Sequence, residues 1–92
     1  MSFNNNNLQF ENDRFMAAYD ALSLIGRGIS SERAIAEELS LTEAVARMLV
    51  TFLAEQGLVR VSLSYSHEQE CRITALGSDF LRDFENIRRF LS

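Results

Sequence analysis

The chain has no proline and no lysine, and its 92 residues include one cysteine, one histidine and four glycines. A lone cysteine, Cys71, excludes an internal disulfide and a cysteine-built metal cluster. Cys71 stands in an apolar–polar alternation, which suits a small core side chain better than a redox sensor. His67 lies in a predicted loop among glutamates, without companion ligands, so a solvated loop residue is expected rather than a catalytic or metal-binding one. No apolar run approaches the roughly 18 residues that span a bilayer, and no basic-then-apolar start suggests a signal peptide. A cytoplasmic protein without membrane contact is therefore expected. A nucleophile–base pair, a phosphate-cradling glycine loop and a carboxylate pair in one predicted cleft are also missing, so neither an enzyme nor a cofactor is expected.

The basic side is thin as well. The net charge is −4, and all nine basic residues are arginines. Such a chain is not held to phosphate by bulk charge. Arginine makes bidentate contacts to guanine and phosphate, so any contact with nucleic acid here would be sparse and geometrically specific. From Ser30 to Arg60 three arginines face five glutamates. Glu68 and Glu70 add negative charge where a hairpin is predicted.

What is present is one small domain with an ordered series of helix and strand signals. A chain of this size buries roughly 60–65% of its unfolded surface, so self-association would add useful burial. Residues 1–12, with the asparagine run Asn4 to Asn7, predict a flexible polar arm in which Phe3, Leu8 and Phe10 are apolar exceptions. The domain proper is predicted over 13–92. Asn12 or Asp13 is a cap for a first helix whose face carries Phe15, Ala18, Tyr19, Leu22 and Ile25. Gly26-Arg27-Gly28 ends it. Ser30 or Ser31 caps a second helix to about Leu39, with Ala34, Ile35 and Leu39 inward and Glu32, Arg33, Glu37 and Glu38 in solvent. Ser40-Leu41 is a tight turn, Thr42 caps a third helix, and Gly57 stops it. Val59, Val61, Leu63 and Tyr65 alternate with polar residues as a half-buried strand, Ser66 to Glu70 turns, and Cys71 to Thr74 returns. Thr74 then caps a last helix over 75–91. Helix–helix–helix–strand–strand–helix is the order of an α+β winged helix-turn-helix: a three-helix core, a two-stranded hairpin wing and a C-terminal amphipathic helix.

On a helical wheel, Thr42 to Gln56 carries an apolar arc of Val45, Ala46, Met48, Leu49, Val50, Phe52 and Leu53. Glu43, Arg47, Thr51 and Ala54 oppose it, with Ala44 and Glu55 at the edge. Arg47 there has the chemistry to read guanine, Glu43 to accept from cytosine, and Ala44 to meet a thymine methyl. Thr42 and the helix N-terminus suit a phosphate. The plainer reading is a solvated face on which Glu43 and Arg47 form an i, i+4 pair. In the last helix, Gly77, Phe80, Phe84, Ile87 and Leu91 step by three, four, three and four, the spacing of a coiled-coil seam. Leu76 and Leu81 widen that stripe. One side must close the domain's own core, and the excess of phenylalanine predicts a symmetric dimer face of Leu76, Phe80, Leu81, Phe84, Ile87 and Leu91.

The stretches Ala34 to Leu58 and Cys71 to Leu81 resemble small prokaryotic winged-helix regulators. They are most similar to archaeal-type DNA-binding proteins that end in one long dimerisation helix. A run of threonine, two residues, glycine, two or three residues and phenylalanine or leucine opens that helix; here Thr74, Gly77, Phe80 and Leu81 carry it. The resemblance implies a homodimeric transcription regulator that binds double-stranded DNA, with helix 42–56 in the major groove. It places Thr42, Glu43, Ala44, Arg47 and Thr51 on the DNA-reading face and His67 to Gln69 at the wing tip. Pairing of two chains would gather Arg33, Arg47 and Arg60 into a positive strip. The same scaffold also serves as a protein-interaction module, and the acidic surface with the apolar arm residues favours a protein partner as the alternative.

Overall fold

In a computed structural model of the chain, residues 5–63 and 69–91 are described, with side chains from residue 15 onward. Four helices and one hairpin follow in order: α1 (Asn5–Gly26), α2 (Glu32–Leu39), α3 (Glu43–Glu55), β1 (Val59–Leu63), β2 (Gln69–Ile73) and α4 (Ala75–Leu91). The start of α1 corrects the expected boundary, because the backbone is helical from Asn5 and runs through the expected cap at Asn12 or Asp13. Once a helix is nucleated each added residue gains a hydrogen bond, and asparagine costs at most about 0.7 kcal/mol relative to alanine. Polar composition alone therefore did not stop it.

Each of the first three helices ends with a residue in the left-handed region that lets the chain turn back. Gly28 and Gly57 fill that position after α1 and α3, at φ 105° and 76°. After α2 it is Ser40, at φ 55°, with the Ser40 amide donating to the Glu37 carbonyl and the Leu41 amide to Ala36. This 6→1 bond with its inner partner satisfies carbonyls that the helix end leaves open, at the cost of a side chain in a conformation that favours glycine. The N-termini follow expectation: the Ser31 hydroxyl accepts the Ala34 amide at 3.0 Å, and Thr42 accepts that of Val45 at 3.2 Å.

The core lies where α1, α2 and α3 meet the hairpin. Ala18, Tyr19, Ala21, Leu22 and Ile25 of α1 close on Ile35 and Ala36 of α2 and on Ala46, Val50 and Leu53 of α3. Val59 and Cys71 complete it from the strands. Cys71 is thus the small core residue anticipated, and its amide also donates to the Ser30 carbonyl at 2.8 Å, tying β2 to the segment before α2. The hairpin is antiparallel, with Val59 opposite Ile73 and Val61 opposite Cys71. Gln69 and Glu70 belong to β2 rather than to the turn, opposite Leu63 and Ser62. Tyr65, the wing-tip His67 and Glu68 lie outside the described residues.

Helix α4 is seated by a corner. The Thr74 hydroxyl donates to the Gly57 carbonyl at 2.7 Å and accepts the Gly77 amide at 3.0 Å, while the Thr74 amide donates to the Leu58 carbonyl. A Cβ on Gly77 would stand 2.1 Å from the Leu58 oxygen. Gly77 is therefore a point of close helix–backbone approach, not a member of a coiled-coil seam. Leu81 packs towards Gly26, and Phe84 stacks obliquely on Tyr19 at 4.5 Å and Phe15 at 5.3 Å.

Two substitutions are expected to move stability in opposite directions in urea titrations. Gly77→Ala should destabilise by on the order of 3 kcal/mol, because backbone rather than a flexible side chain occupies the new methyl's place. Ser40→Gly should stabilise by about 0.5 kcal/mol, the left-handed strain relieved less the added freedom of the unfolded chain. A third expectation concerns pH. Burial, and secondarily the nearby Glu32 carboxylate, push the Cys71 thiol above its ordinary range. The folded protein then keeps a proton that the unfolded chain releases, so stability should fall as pH rises through the ordinary thiol range. Cys71→Ala should lack that part of the alkaline decline.

Candidate nucleic-acid interface

Helix α3 is placed by three contacts: Ala46, Val50 and Leu53 point into the core, with Leu49 and Ala54 half-buried at their flanks. Ala54 was expected on the polar face and is corrected to the inner one. At 100° per residue, the direction opposite the core belongs to Ala44, Met48, Thr51 and Glu55. All four are exposed. Val45 and Phe52 flank them on one side, Arg47 and Glu43 on the other. The wheel read from sequence was therefore rotated by about a quarter turn, since it placed Met48 and Phe52 in the buried arc. Met48 is 63% exposed and Phe52 49%, so the outward edge of α3 is more apolar than its composition suggested. A sequence has no means of deciding which part of a wide apolar arc finds a partner.

Arg47 stands on the flank that faces α2. Its Nε donates to Oε2 of Glu32 at 3.1 Å, and the Nε of Arg33 donates to Oε1 of Glu43 at 3.2 Å. The expected pair between Glu43 and Arg47 within α3 is thereby replaced by two crossed pairs between α2 and α3. One asymmetry separates them. Arg33 and Glu43 are both open to solvent, whereas the Glu32 side chain is only 12% exposed and the Arg47 side chain 66%. Glu32 was expected in solvent with Glu37 and Glu38; it is instead turned inward to Arg47, and its charge adds to the burial that raises the Cys71 thiol. Its place in the first turn of α2 suits a carboxylate, because the free amides there carry partial positive charge. The quartet Glu32, Arg33, Glu43 and Arg47 sums to zero charge, which removes most long-range pull on phosphate from this face.

The remaining site residues are as follows. Thr42 uses its hydroxyl oxygen to cap α3, leaving the hydroxyl proton to donate outward. Ala44 and Thr51 lie on the exposed edge. On the hairpin, Arg60 stands directly opposite Arg72 on the exposed face, and no carboxylate among the described residues pairs with either. Arg72 was not singled out from sequence. The strand register brings it to Arg60, and the Val59 and Cys71 alternation was the available signal. Like charges directly opposite on paired strands are destabilising unless an anion lies between or near them.

The last helix divides into two edges. Leu81 and Phe84, two of the six residues expected at a dimer face, are half-buried against α1. Leu76, Phe80, Ile87 and Leu91 form an exposed stripe, to which Phe90 adds at 88% exposure, and Phe15 and Met16 of α1 are exposed as well. The opposite edge of α4 lines a shallow polar groove of about 500 Å³ with α1, bordered by Ser23, Arg27, Arg82, Glu85 and Arg89. No helix among the described residues is long and apolar enough to cross a membrane.

No protein-family model matches the sequence, and no curated protein does. Among solved structures, ZitR of Lactococcus lactis, a doubly substituted variant in its apo form, is similar to this chain with a TM-score of 0.72. The identity is 20%, and the match covers 95% of this chain and 67% of that one. At such low identity the likeness is one of fold, and with the helix order and hairpin described above it makes this chain a winged helix-turn-helix domain of the α+β class.

Proposed function

We propose that this protein is a sequence-specific DNA-binding transcriptional regulator, acting as a homodimer in the cytoplasm with α3 in the major groove of double-stranded DNA. The observation that carries the reading is the open outer edge of α3. Ala44, Met48, Thr51 and Glu55 are exposed opposite the side that is locked into the core, and Arg47 is exposed on the flank beside them. In the helix-turn-helix arrangement this is the helix that enters the groove. Arg47 serves as the guanine reader, with Ala44 and Met48 placed for thymine methyl groups and Thr51 for a base edge or phosphate. Thr42 and the first amides of α3 hold a backbone phosphate, and Arg33 and the Arg60–Arg72 pair add phosphate contacts. Glu43 reads cytosine only by leaving Arg33. His67 keeps its role as a wing-tip contact by resemblance alone.

Because the net charge is −4, non-specific attraction is weak and base contacts must carry selectivity. A dimer doubles those contacts, and two copies of α3 would read major grooves about 34 Å apart. The exposed stripe of α4, with Phe15 and Met16, supports that pairing.

A second reading follows from Met48, Phe52 and Val45. An apolar outer edge on α3 suits a protein partner better than a phosphate backbone, which would make the domain an interaction module that does not touch DNA.

Selection from a randomised duplex pool at low salt tests the first reading. The wild-type chain should enrich a defined sequence, and Arg47→Ala should lose about tenfold or more of its preference for it. Equal indifference of both proteins to DNA, with a stoichiometric protein partner lost on Met48→Asp, would establish the second reading instead. Sedimentation should separately show Ile87→Asp as a monomer with unchanged helix content, because Ile87 is 55% exposed in the single chain and its loss leaves the core intact.

A further inference from the structure

We infer that Glu32 is a positioning residue for Arg47, a carboxylate that holds the guanidinium side-on and thereby presents its outer edge to a guanine. The inference rests on the DNA-binding reading and adds to it a residue on α2 that sets base specificity without touching a base.

An arginine has five N–H donors: one on Nε and two on each Nη. Bidentate reading of guanine O6 and N7 needs two of them in one plane. Glu32 takes Arg47 at Nε, so the hydrogen bond in the folded protein leaves the Nη groups for another acceptor. Exposure gives the arrangement a direction. The carboxylate is nearly enclosed, at 12%, while the arginine is 66% exposed, so the anchor lies behind and the donor edge in front. The backbone beneath Glu32 is fixed, because it is the first residue of α2, directly after the Ser31 cap. A planar guanidinium fixed at one edge loses less freedom on binding than one that swings through solvent. The companion pair lacks this construction, because Arg33 and Glu43 are both exposed and neither can serve as the other's fixed support.

A competing role for Glu32 makes the opposite prediction. A carboxylate near the groove-binding helix also repels phosphate, and removing repulsion strengthens binding to every duplex alike. Positioning instead predicts that selectivity falls while general affinity holds or rises.

The experiment uses the full chain and duplexes enriched by the wild-type protein from a randomised pool, with each guanine then replaced in turn. Glu32→Gln should lose about tenfold in preference at one guanine per half-site, with affinity for random-sequence duplex unchanged or increased. Arg47→Lys, which keeps the charge on an exposed side chain, should lose the same preference at the same base pair. The double variant should lose no more than either single one, because the two residues act as a unit. The inference is overturned if Glu32→Gln tightens binding to all duplexes with the ratio intact, or if Arg47→Lys retains the guanine preference. A wild-type chain that enriches no sequence overturns it together with the DNA-binding reading, so the two failures are distinguishable.

Discussion

At Leu58 the backbone carbonyl accepts the Thr74 amide while the Cα of Gly77 lies so near that any side chain there would collide with the oxygen. Two segments far apart in sequence are joined at this point: the exit from α3 through Gly57, and the entry to α4 after the hairpin. The Thr74 hydroxyl closes the corner by bonding both Gly57 and Gly77. With the corner fixed, the Val59–Ile73 register and the direction of α4 are no longer independent. Leu81 and Phe84 are then carried onto α1, and Leu76, Phe80, Ile87 and Leu91 are carried away from it. The exposed stripe is a geometric consequence of where α4 begins.

The same economy governs α3. A domain this small has room for one side of each helix, and the core takes Ala46, Val50 and Leu53. The rest of the wide apolar arc is left over, so Met48 and Phe52 remain outside. On a large protein such residues would be unremarkable singly, since much of any surface is apolar. Here they lie on the outer edge of α3, and α4 carries a second, longer stripe. Two exposed apolar edges among the described residues are the surface that the proposed pairing would cover.

Electrostatics sets the manner of recognition. The crossed pairs between α2 and α3 neutralise Arg33 and Arg47. A chain arranged this way gives up attraction at a distance and keeps directed donors at contact. Arg60 and Arg72, opposite each other across the strands and without a carboxylate partner among the described residues, are the exception on the hairpin. The register thus sets two cations side by side where the hairpin begins.

Local chemistry was legible in the residues themselves. Ser31 and Thr42 cap helices because a hydroxyl there meets an otherwise unpaired amide, and Gly28 and Gly57 end helices because they reach positive φ freely. The alternation around Val59 and Cys71 marked the strands, and the 3.6-residue rhythm marked the buried face of α1 and the apolar stripe of α4, most of which stays exposed. These signals act within a few residues, so order and class of elements follow from sequence alone. The start of α1 at Asn5 shows the limit of that kind of reading, because extending an existing helix overrides weak local propensity. Which part of an apolar arc is buried, which glutamate an arginine meets, and which strand residue faces Arg60 depend on elements distant in the chain. Packing, crossing geometry and register decide these, and none is written in local spacing. For that reason Glu32, Met48 and Arg72 acquired their places only in the tertiary structure.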